Sequence, residues 1–304
     1  MKLFAPEYYK DFKCKADKCR HSCCIGWEID VDSETAELYC SLDEGYGQVV
    51  AHSIDFDPAP HFRLGEGDRC PHLAESGLCK VILNLGEDHL CDICREHPRF
   101  YNDTVYGKEV GLGMSCEEAC RLILTSDGYA TVKEIGEVCG EADADGFNTV
   151  SFREGLYDRL SDSGLPYSQR LNAIYREYGA SPELLEDAEW RELLASLEYL
   201  DPSHKELFQV YTSFVGQNGI ADISLERALA YFIYRHCAGE ADELRCRAAL
   251  GLCLFLERLL ASVYYAAPKA DILELARIIS EEIEYSEDNT EAIKAKFLYA
   301  LRDE

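Results

Sequence analysis

The chain has 304 residues and a formal net charge of −27, from 57 acidic and 30 basic side chains. Apolar residues make up 47% of it, which is typical of a globular protein and argues against disorder. No segment is rich in lysine and arginine, so we do not expect it to bind nucleic acid. Acidity spread along the whole chain is usually that of a solvated surface, and it can also attract a basic partner, such as a protein substrate with exposed lysines.

The first part of the chain mixes short predicted strands and helices. The first ten residues lack the apolar core and cleavage pattern of a signal peptide, so we expect a cytoplasmic protein. Residues 27–32 alternate apolar and acidic side chains, which predicts a half-buried strand, and a second short strand is predicted near Phe62. Ser33 is the predicted cap of a following helix. The capping-box pattern of residues 115–118 predicts a helix start with Cys116 at its first position.

The composition changes near residue 140, where residues 141–146 form an acidic linker. Beyond it, a capping box at Ser151 and the dipeptide Ser181-Pro182 mark helix starts, the second for a helix running to about residue 200. Further helices are predicted over residues 205–216, 225–237, 242–267, 271–285 and 290–301. We therefore predict two domains, residues 1–140 and 141–304.

The longest apolar stretch, residues 248–267, carries Glu257 and Arg258 at its centre. A charge pair at bilayer depth is costly, so this stretch predicts a buried helix and not a membrane span. We expect no membrane association, and the sequence leaves the oligomeric state open.

Cysteines are the most informative residues of the first domain. Twelve of the fifteen lie within the first 139 residues, and an odd total cannot pair completely. In a reducing cytosol, clustered thiols are more often metal ligands or catalytic groups than disulfides. Thiolate is a soft ligand that favours zinc or an iron–sulfur cluster. The candidate ligands, which are crowded together or lie beside Gly, Pro or a helix start, are Cys14, Cys19, Cys23, Cys24, Cys70, Cys79, Cys94 and Cys116.

Packing in the core is the alternative for any single cysteine, because free cysteine behaves as a small apolar side chain. We assign no site to Cys40, Cys120, Cys139, Cys237, Cys246 or Cys253, the last three of which lie in apolar helical patterns. Cys91 is left open, as a ligand or as a spare thiol beside Cys94. The histidines near the candidate ligands, His21, His72 and His97, are expected to support the site without ligating it.

Several of these motifs together resemble a known family. They are Cys19-x3-Cys23-Cys24-x2-Trp27, Cys70-Pro-His-Leu, Gly-Leu-Cys79, Leu85-Gly-Glu, Cys94-Arg-x-His-Pro-Arg99 and Gly111-Leu-x-Met-Ser-Cys116. In this order they resemble the flagellin lysine-N-methylase family, which looks related to a broader group of iron- or zinc-chelating cysteine-cluster proteins. The resemblance is dense over the first 125 residues and loose in the helical remainder.

The resemblance implies methyl transfer from S-adenosylmethionine to lysines of flagellin, in a protein whose eight candidate cysteines hold a four-iron, four-sulfur cluster or zinc. It implies no catalytic base that can be placed on this chain. The sequence lacks the Gly-rich turn of a Rossmann methyltransferase. It also lacks the Cys-x3-Cys-x2-Cys pattern of radical enzymes, because position 26, where Cys19-x3-Cys23 would need its third cysteine, is Gly.

We therefore predict a mostly α protein, with a small α+β cysteine-rich metal-binding module packed on an all-α helical body. The predicted function is cluster-dependent lysine methylation. The alternative is a non-catalytic metal-binding or redox protein whose cluster stabilises a partner-binding module, and a purely structural zinc domain is a third possibility.

Overall fold

A computed structural model describes residues 1–142, 146–213, 222–267 and 269–302. The chain is mostly helical with a few short strands, as predicted. It divides into two compact units. Residues 13–99 form one, here called the cysteine unit, and residues 1–12 and 100–304 form the other, the helical unit. The units thus divide after Phe12 and after Arg99, whereas the sequence placed a single boundary near residue 140.

The strands, in chain order, are β1 (Lys2–Pro6), β2 (Ile54–Asp55), β3 (His61–Phe62), β4 (Arg99–Thr104), β5 (Gly107–Leu112) and β6 (Val132–Glu137). The α-helices are α1 (Ser33–Ser41), α2 (Tyr46–His52), α3 (Lys80–Leu85), α4 (Asp92–Glu96), α5 (Glu117–Thr125), α6 (Thr149–Leu160), α7 (Tyr167–Tyr178), α8 (Asp187–Ser196), α9 (His204–Leu207), α10 (Asp222–His236), α11 (Glu243–Ala266), α12 (Ile272–Ile279) and α13 (Glu287–Arg302).

The cysteine unit has little regular structure, and one carboxylate ties two of its helices together. Asp32, and not the predicted Ser33, caps α1, where its Oδ1 accepts from the Thr35 amide at 2.9 Å. Its Oδ2 accepts from the amide of Asp92, the first residue of α4, also at 2.9 Å. The prediction of a strand over residues 27–32 is wrong, because this segment makes only an isolated bridge to the β2–β3 hairpin.

The helical unit combines a four-stranded sheet, in the order β4-β5-β1-β6, with the longer helices. Strand β1 pairs parallel to β5 and antiparallel to β6. Helix α11 is buried along most of its length and packs against α10, α12 and α13. Because its apolar residues surround the whole helix, it lies in the core and not at the surface. Among the described residues, no helix is long and apolar enough to cross a bilayer.

Helix boundaries show where local patterns mislead. Both predicted capping boxes are wrong, because the caps are Cys116 for α5 and Asn148 for α6. The Asn148 side chain accepts from the Ser151 amide, so the helix begins one turn earlier than predicted. Ser181-Pro182 does start a helical segment, as predicted, but it is a short 3-10 turn before α8.

Two further helices are shorter than predicted. The helix expected over residues 205–216 is α9 followed by a 3-10 turn, Phe208–Val210, and residues 214–216 lie outside the described residues, as do 143–145 of the acidic linker. Helix α12 ends at Ile279 and continues as one π-helical turn, Ser280–Glu284. The predictions for α10, α11 and α13 are confirmed to within a few residues.

Candidate metal centre

Five thiols share the small core of the cysteine unit. Cys70 and Cys91 are buried, and Cys24, Cys79 and Cys94 are half-buried and pack against the same core. They come from three separate parts of the chain. The structure therefore brings together four of the predicted ligands and adds Cys91, which the sequence left open.

Backbone pairing brings the first two segments together. The Cys70 amide donates to the Cys24 carbonyl at 2.9 Å, and Ile25 and Arg69, the residues on either side of this contact, form a bridge. Cys24 and Cys70 are therefore held side by side by main-chain hydrogen bonds, although forty-five residues separate them in the sequence.

A tight turn returns the chain from Cys70 to Cys79. Leu73 pairs with Cys79, and the Lys80 amide donates to the His72 carbonyl at 2.7 Å. The turn needs glycine at position 77, which has a φ of 82°. A Cβ added there would lie 3.4 Å from the Asp17 Cα, so the turn packs closely on the segment between Cys14 and Cys19.

Backbone amides are directed at the sulfurs. Burial raises the pKa of Cys70 and of Cys79, and backbone amides oppose this rise: those of His72 and Leu73 lower the pKa of Cys70, and those of Val81 and Ile82 lower the pKa of Cys79. Amides that follow a cysteine and point back at its sulfur stabilise the thiolate, and hydrogen bonds of this kind tune metal-bound sulfur. The local backbone is thus arranged to hold sulfur as an acceptor.

The pKa values of the thiols depend on their mutual contacts. A hydrogen bond from Cys23 lowers the pKa of Cys24 to about 7. Similarly, a hydrogen bond from Cys94 lowers the pKa of Cys91, and the same bond, together with burial, raises the pKa of Cys94. Burial raises the pKa of Cys70 to about 11. These contacts favour the thiolate form of Cys24 and of Cys91.

The thiolates also repel one another. For Cys94 the hydrogen bond with Cys91 and burial raise the pKa most, and the charges of Cys91, Cys24 and Cys70 raise it further; for Cys79 the charges of Cys24 and Cys91 add to the larger effect of burial. Ionising several of these thiols together would concentrate negative charge in a buried place, which a bound cation would relieve.

The remaining predicted ligands lie further from this group or in the other unit. Cys23 adjoins it through its contact with Cys24. Cys14 is exposed, with its Sγ accepting from the Ala16 amide at 3.4 Å, and Cys19 is half-buried. Cys116 belongs to the helical unit, where it packs against that unit's core at the start of α5.

The cysteines without a predicted role behave as expected in the helical unit. Cys237 and Cys253 lie in its core with their sulfurs 3.9 Å apart, and Cys120 and Cys246 are buried as well. Burial raises the pKa of the Cys120 and Cys246 thiols above their usual range, which keeps them protonated and unreactive.

His72 forms a support that the sequence only partly indicated. The Ser53 hydroxyl donates to the Val50 carbonyl at 2.6 Å, so its oxygen accepts from His72 Nε2 at 2.8 Å. His72 Nδ1 is then an acceptor, and the Tyr46 hydroxyl donates to it at 2.8 Å. Both ring nitrogens are occupied, so these hydrogen bonds hold His72 between Tyr46 and Ser53. Burial lowers its pKa to about 4.

Tyr46 and Ser53 were missed because nothing local distinguishes them from ordinary residues of a short helix and its end. Their role arises only when α2 packs against the segment after Cys70. Phe62 also packs against His72, with the two rings 4.8 Å apart in an edge-on contact. Phe62 belongs to the core that the five thiols share, and Tyr46 packs against it.

No protein family, curated protein or solved structure matches this chain. Among the described residues, no three or more His, Cys, Asp or Glu side chains already stand in an arrangement that could hold a metal ion. The inference about the five thiols therefore rests on three features of their surroundings: the soft sulfur donors, the backbone amides near them and their largely buried setting. This donor set fits a thiolate-bound metal.

Proposed function

We propose that the cysteine unit holds a thiolate-bound metal centre. The observation that carries this proposal is the convergence of five thiols from three segments in one core, with backbone amides directed at two of the sulfurs. Ordinary core packing explains one or two buried cysteines but not this concentration with hydrogen-bonded thiol pairs.

The residues that would hold the metal are Cys24, Cys70, Cys79, Cys91 and Cys94, with Cys14, Cys19, Cys23 and Cys116 retained as proposed ligands from the sequence. An iron–sulfur cluster is our first choice because of the family resemblance, and the donor set suits zinc equally well. When bound, a cluster would supply one-electron chemistry, whereas zinc would supply structural cross-linking.

The protein's own contribution is to position the sulfurs and exclude water. Backbone pairing holds Cys24 beside Cys70, and the amides after Cys70 and Cys79 favour their thiolates. The hydrogen bonds of His72 with Tyr46 and with Ser53 hold the segment that follows Cys70 in place. These features pre-form part of the site before any metal binds.

Metal analysis of protein purified without oxygen tests this proposal. We expect iron with matching acid-labile sulfide and a brown chromophore, or zinc without sulfide if the centre is structural. Substitution Cys91→Ser should lower the metal content by at least half, because it removes the most buried thiol of the group.

Cys40→Ser is the matched control, since Cys40 is an exposed thiol of the same unit, on α1. It should leave the metal content unchanged. Cys116→Ser then decides whether a residue of the helical unit takes part. Protein purified without oxygen that holds no metal, and in which all fifteen thiols titrate once it is unfolded, would refute the proposal.

For the activity, we propose S-adenosylmethionine-dependent methylation of lysines on a protein such as flagellin. This proposal rests on the family resemblance, and the acidic composition of the chain suits a lysine-bearing substrate. The alternative is a non-catalytic metal or redox module that binds a partner protein. Calorimetry with S-adenosylmethionine separates the two: tight binding supports the methylase, and no binding to metal-loaded protein favours the module.

A further inference from the structure

Cys91 and Cys94 lie together at the start of one short helix. Cys91 is the N-cap of α4, and Cys94 is the third residue of that helix. The Cys94 amide donates to the Cys91 carbonyl at 3.1 Å, which closes a turn between the two residues, and a hydrogen bond joins the two side chains. Two thiols with this spacing across a helix start are the arrangement of dithiol redox motifs. The two residues are here called the α4 dithiol.

The backbone around the α4 dithiol is held by contacts on both sides. The Asp92 amide, between the two cysteines, donates to Asp32 Oδ2 at 2.9 Å, which attaches the start of α4 to α1. Arg95, which follows the dithiol, donates through Nη1 to the Leu90 carbonyl at 3.1 Å. The main chain itself therefore keeps the two thiols together.

Two other sulfur contacts are less suited to a reversible disulfide. Cys23 and Cys24 are adjacent in sequence, and a bond between adjacent cysteines closes a small, strained ring. Cys237 and Cys253 have sulfurs 3.9 Å apart, but both side chains are completely buried. In the α4 dithiol one cysteine is buried and the other is half-buried, so a small oxidant can reach the pair from one side.

Oxidation of the α4 dithiol would take two ligands from the metal centre. Both of its cysteines belong to the five thiols that share the core of the cysteine unit. A sulfur bonded to another sulfur is no longer a thiolate, which is the form of cysteine that binds a metal. Of the five thiols only Cys24, Cys70 and Cys79 would remain, and closed zinc and iron–sulfur sites take four ligands.

We propose that the α4 dithiol is a redox switch of the metal centre, with a peroxide as the oxidant. The two sulfurs give up two electrons and become joined by a disulfide bond. Hydrogen peroxide accepts both electrons, its oxygen–oxygen bond breaks, and with two protons from the thiols or from solvent it leaves as two molecules of water. The disulfide then releases the metal. This regulation rests on the metal centre proposed above.

Peptide mapping of protein purified without oxygen tests the proposal. Trypsin cleaves after Lys80 and Arg95, and the resulting peptide, residues 81–95, contains Cys91 and Cys94 as its only cysteines. After treatment with hydrogen peroxide, we expect this peptide to be lighter by two hydrogen atoms in most molecules. It should react with iodoacetamide only after reduction by dithiothreitol, which opens the disulfide by exchange and is itself oxidised. A colour-forming chelator should register loss of metal in proportion to the disulfide formed.

Cys40→Ser is the matched control, because it removes an exposed thiol of the same unit. It should change neither the disulfide in peptide 81–95 nor the release of metal. Cys237 and Cys253 are an internal control within the same sample, and they should stay reduced because both are buried. Dithiothreitol followed by fresh metal should restore the metal content.

Two results would overturn the switch and leave the metal centre standing. One is a peptide 81–95 that stays reduced while peroxide removes the metal. The other is a disulfide in this peptide with the metal still bound, which would place the α4 dithiol outside the centre. Protein that holds no metal as purified would overturn the metal centre and its regulation together.

Discussion

The two units bury their interiors in different ways. The helical unit is built on long helices, above all the 24 residues of α11, whose apolar side chains, Phe255 among them, pack with Trp190 in one large core. The longest helix of the cysteine unit, α1, has nine residues, and its strands have two residues each. Helices this short are marginal in water by themselves.

The two units therefore depend on different sources of stability. Apolar burial alone can stabilise the helical unit, because its core grows with the length of its helices. The cysteine unit has a small core in which thiols occupy central positions. Metal binding is coupled to folding where the ligands come together only in the folded chain, so a metal centre there would contribute to the folding free energy as well as to the function.

The largest difference between the two units is expected when the metal is removed. If the metal holds the cysteine unit together, chelation should abolish most hydrogen-exchange protection in residues 13–99, since thiolate–metal binding contributes about 10 kcal/mol or more to such units. Protection of α11 should remain, because its core is built from apolar side chains and holds none of the five converging thiols. Exchange mass spectrometry before and after chelation measures both at once, and unchanged protection of residues 13–99 would count against a structural metal.

Truncation of a side chain in the large core should destabilise the helical unit and leave the metal centre of the cysteine unit intact. Phe255→Ala should cost about 3–5 kcal/mol of unfolding free energy, because Phe255 is fully buried between Trp190 and Tyr211. The metal content should not change. Urea unfolding measures the loss, with the exposed Tyr299→Ala as a control that should cost less than about 0.5 kcal/mol.

A smaller effect is expected from substitution of Tyr46, which is hydrogen-bonded to His72 beside the five thiols. Tyr46→Phe removes the donor to His72 Nδ1 and leaves that buried nitrogen unsatisfied, which should cost about 1–3 kcal/mol. The variant should also lose metal faster to a competing chelator, because the segment after Cys70 is held less firmly. Equal rates of metal loss in the variant and the parent would limit Tyr46 to a packing role.

The smallest effect concerns pH. A hydrogen bond with Glu282 raises the pKa of His204, so this contact stabilises the folded state fully below the ordinary histidine pKa and is lost as pH rises through the raised value. His204 is partly exposed, and we expect a small effect. The stability of the parent should therefore fall between pH 6 and pH 8.5 by more than that of His204→Gln, in paired urea titrations. An identical fall in both would assign the pH dependence to other groups.

The sequence by itself determined the helical character of the second half, the near-complete extent of α11 and the concentration of thiols in the first. These are local properties: apolar periodicity fixes a helix over its own residues, and cysteine spacing is visible without a fold. The charged centre of α11 was likewise visible, and it correctly predicted a buried helix.

Only the tertiary structure decided which groups meet. Cys91 joins the thiol core and His72 is turned to Tyr46 and Ser53, each through packing of segments that are separated in sequence. The unit boundaries after Phe12 and Arg99 follow from strand β1, which pairs with β5 and β6 far along the chain. Long-range pairing depends on the whole chain closing around a core, and no local pattern contains that information.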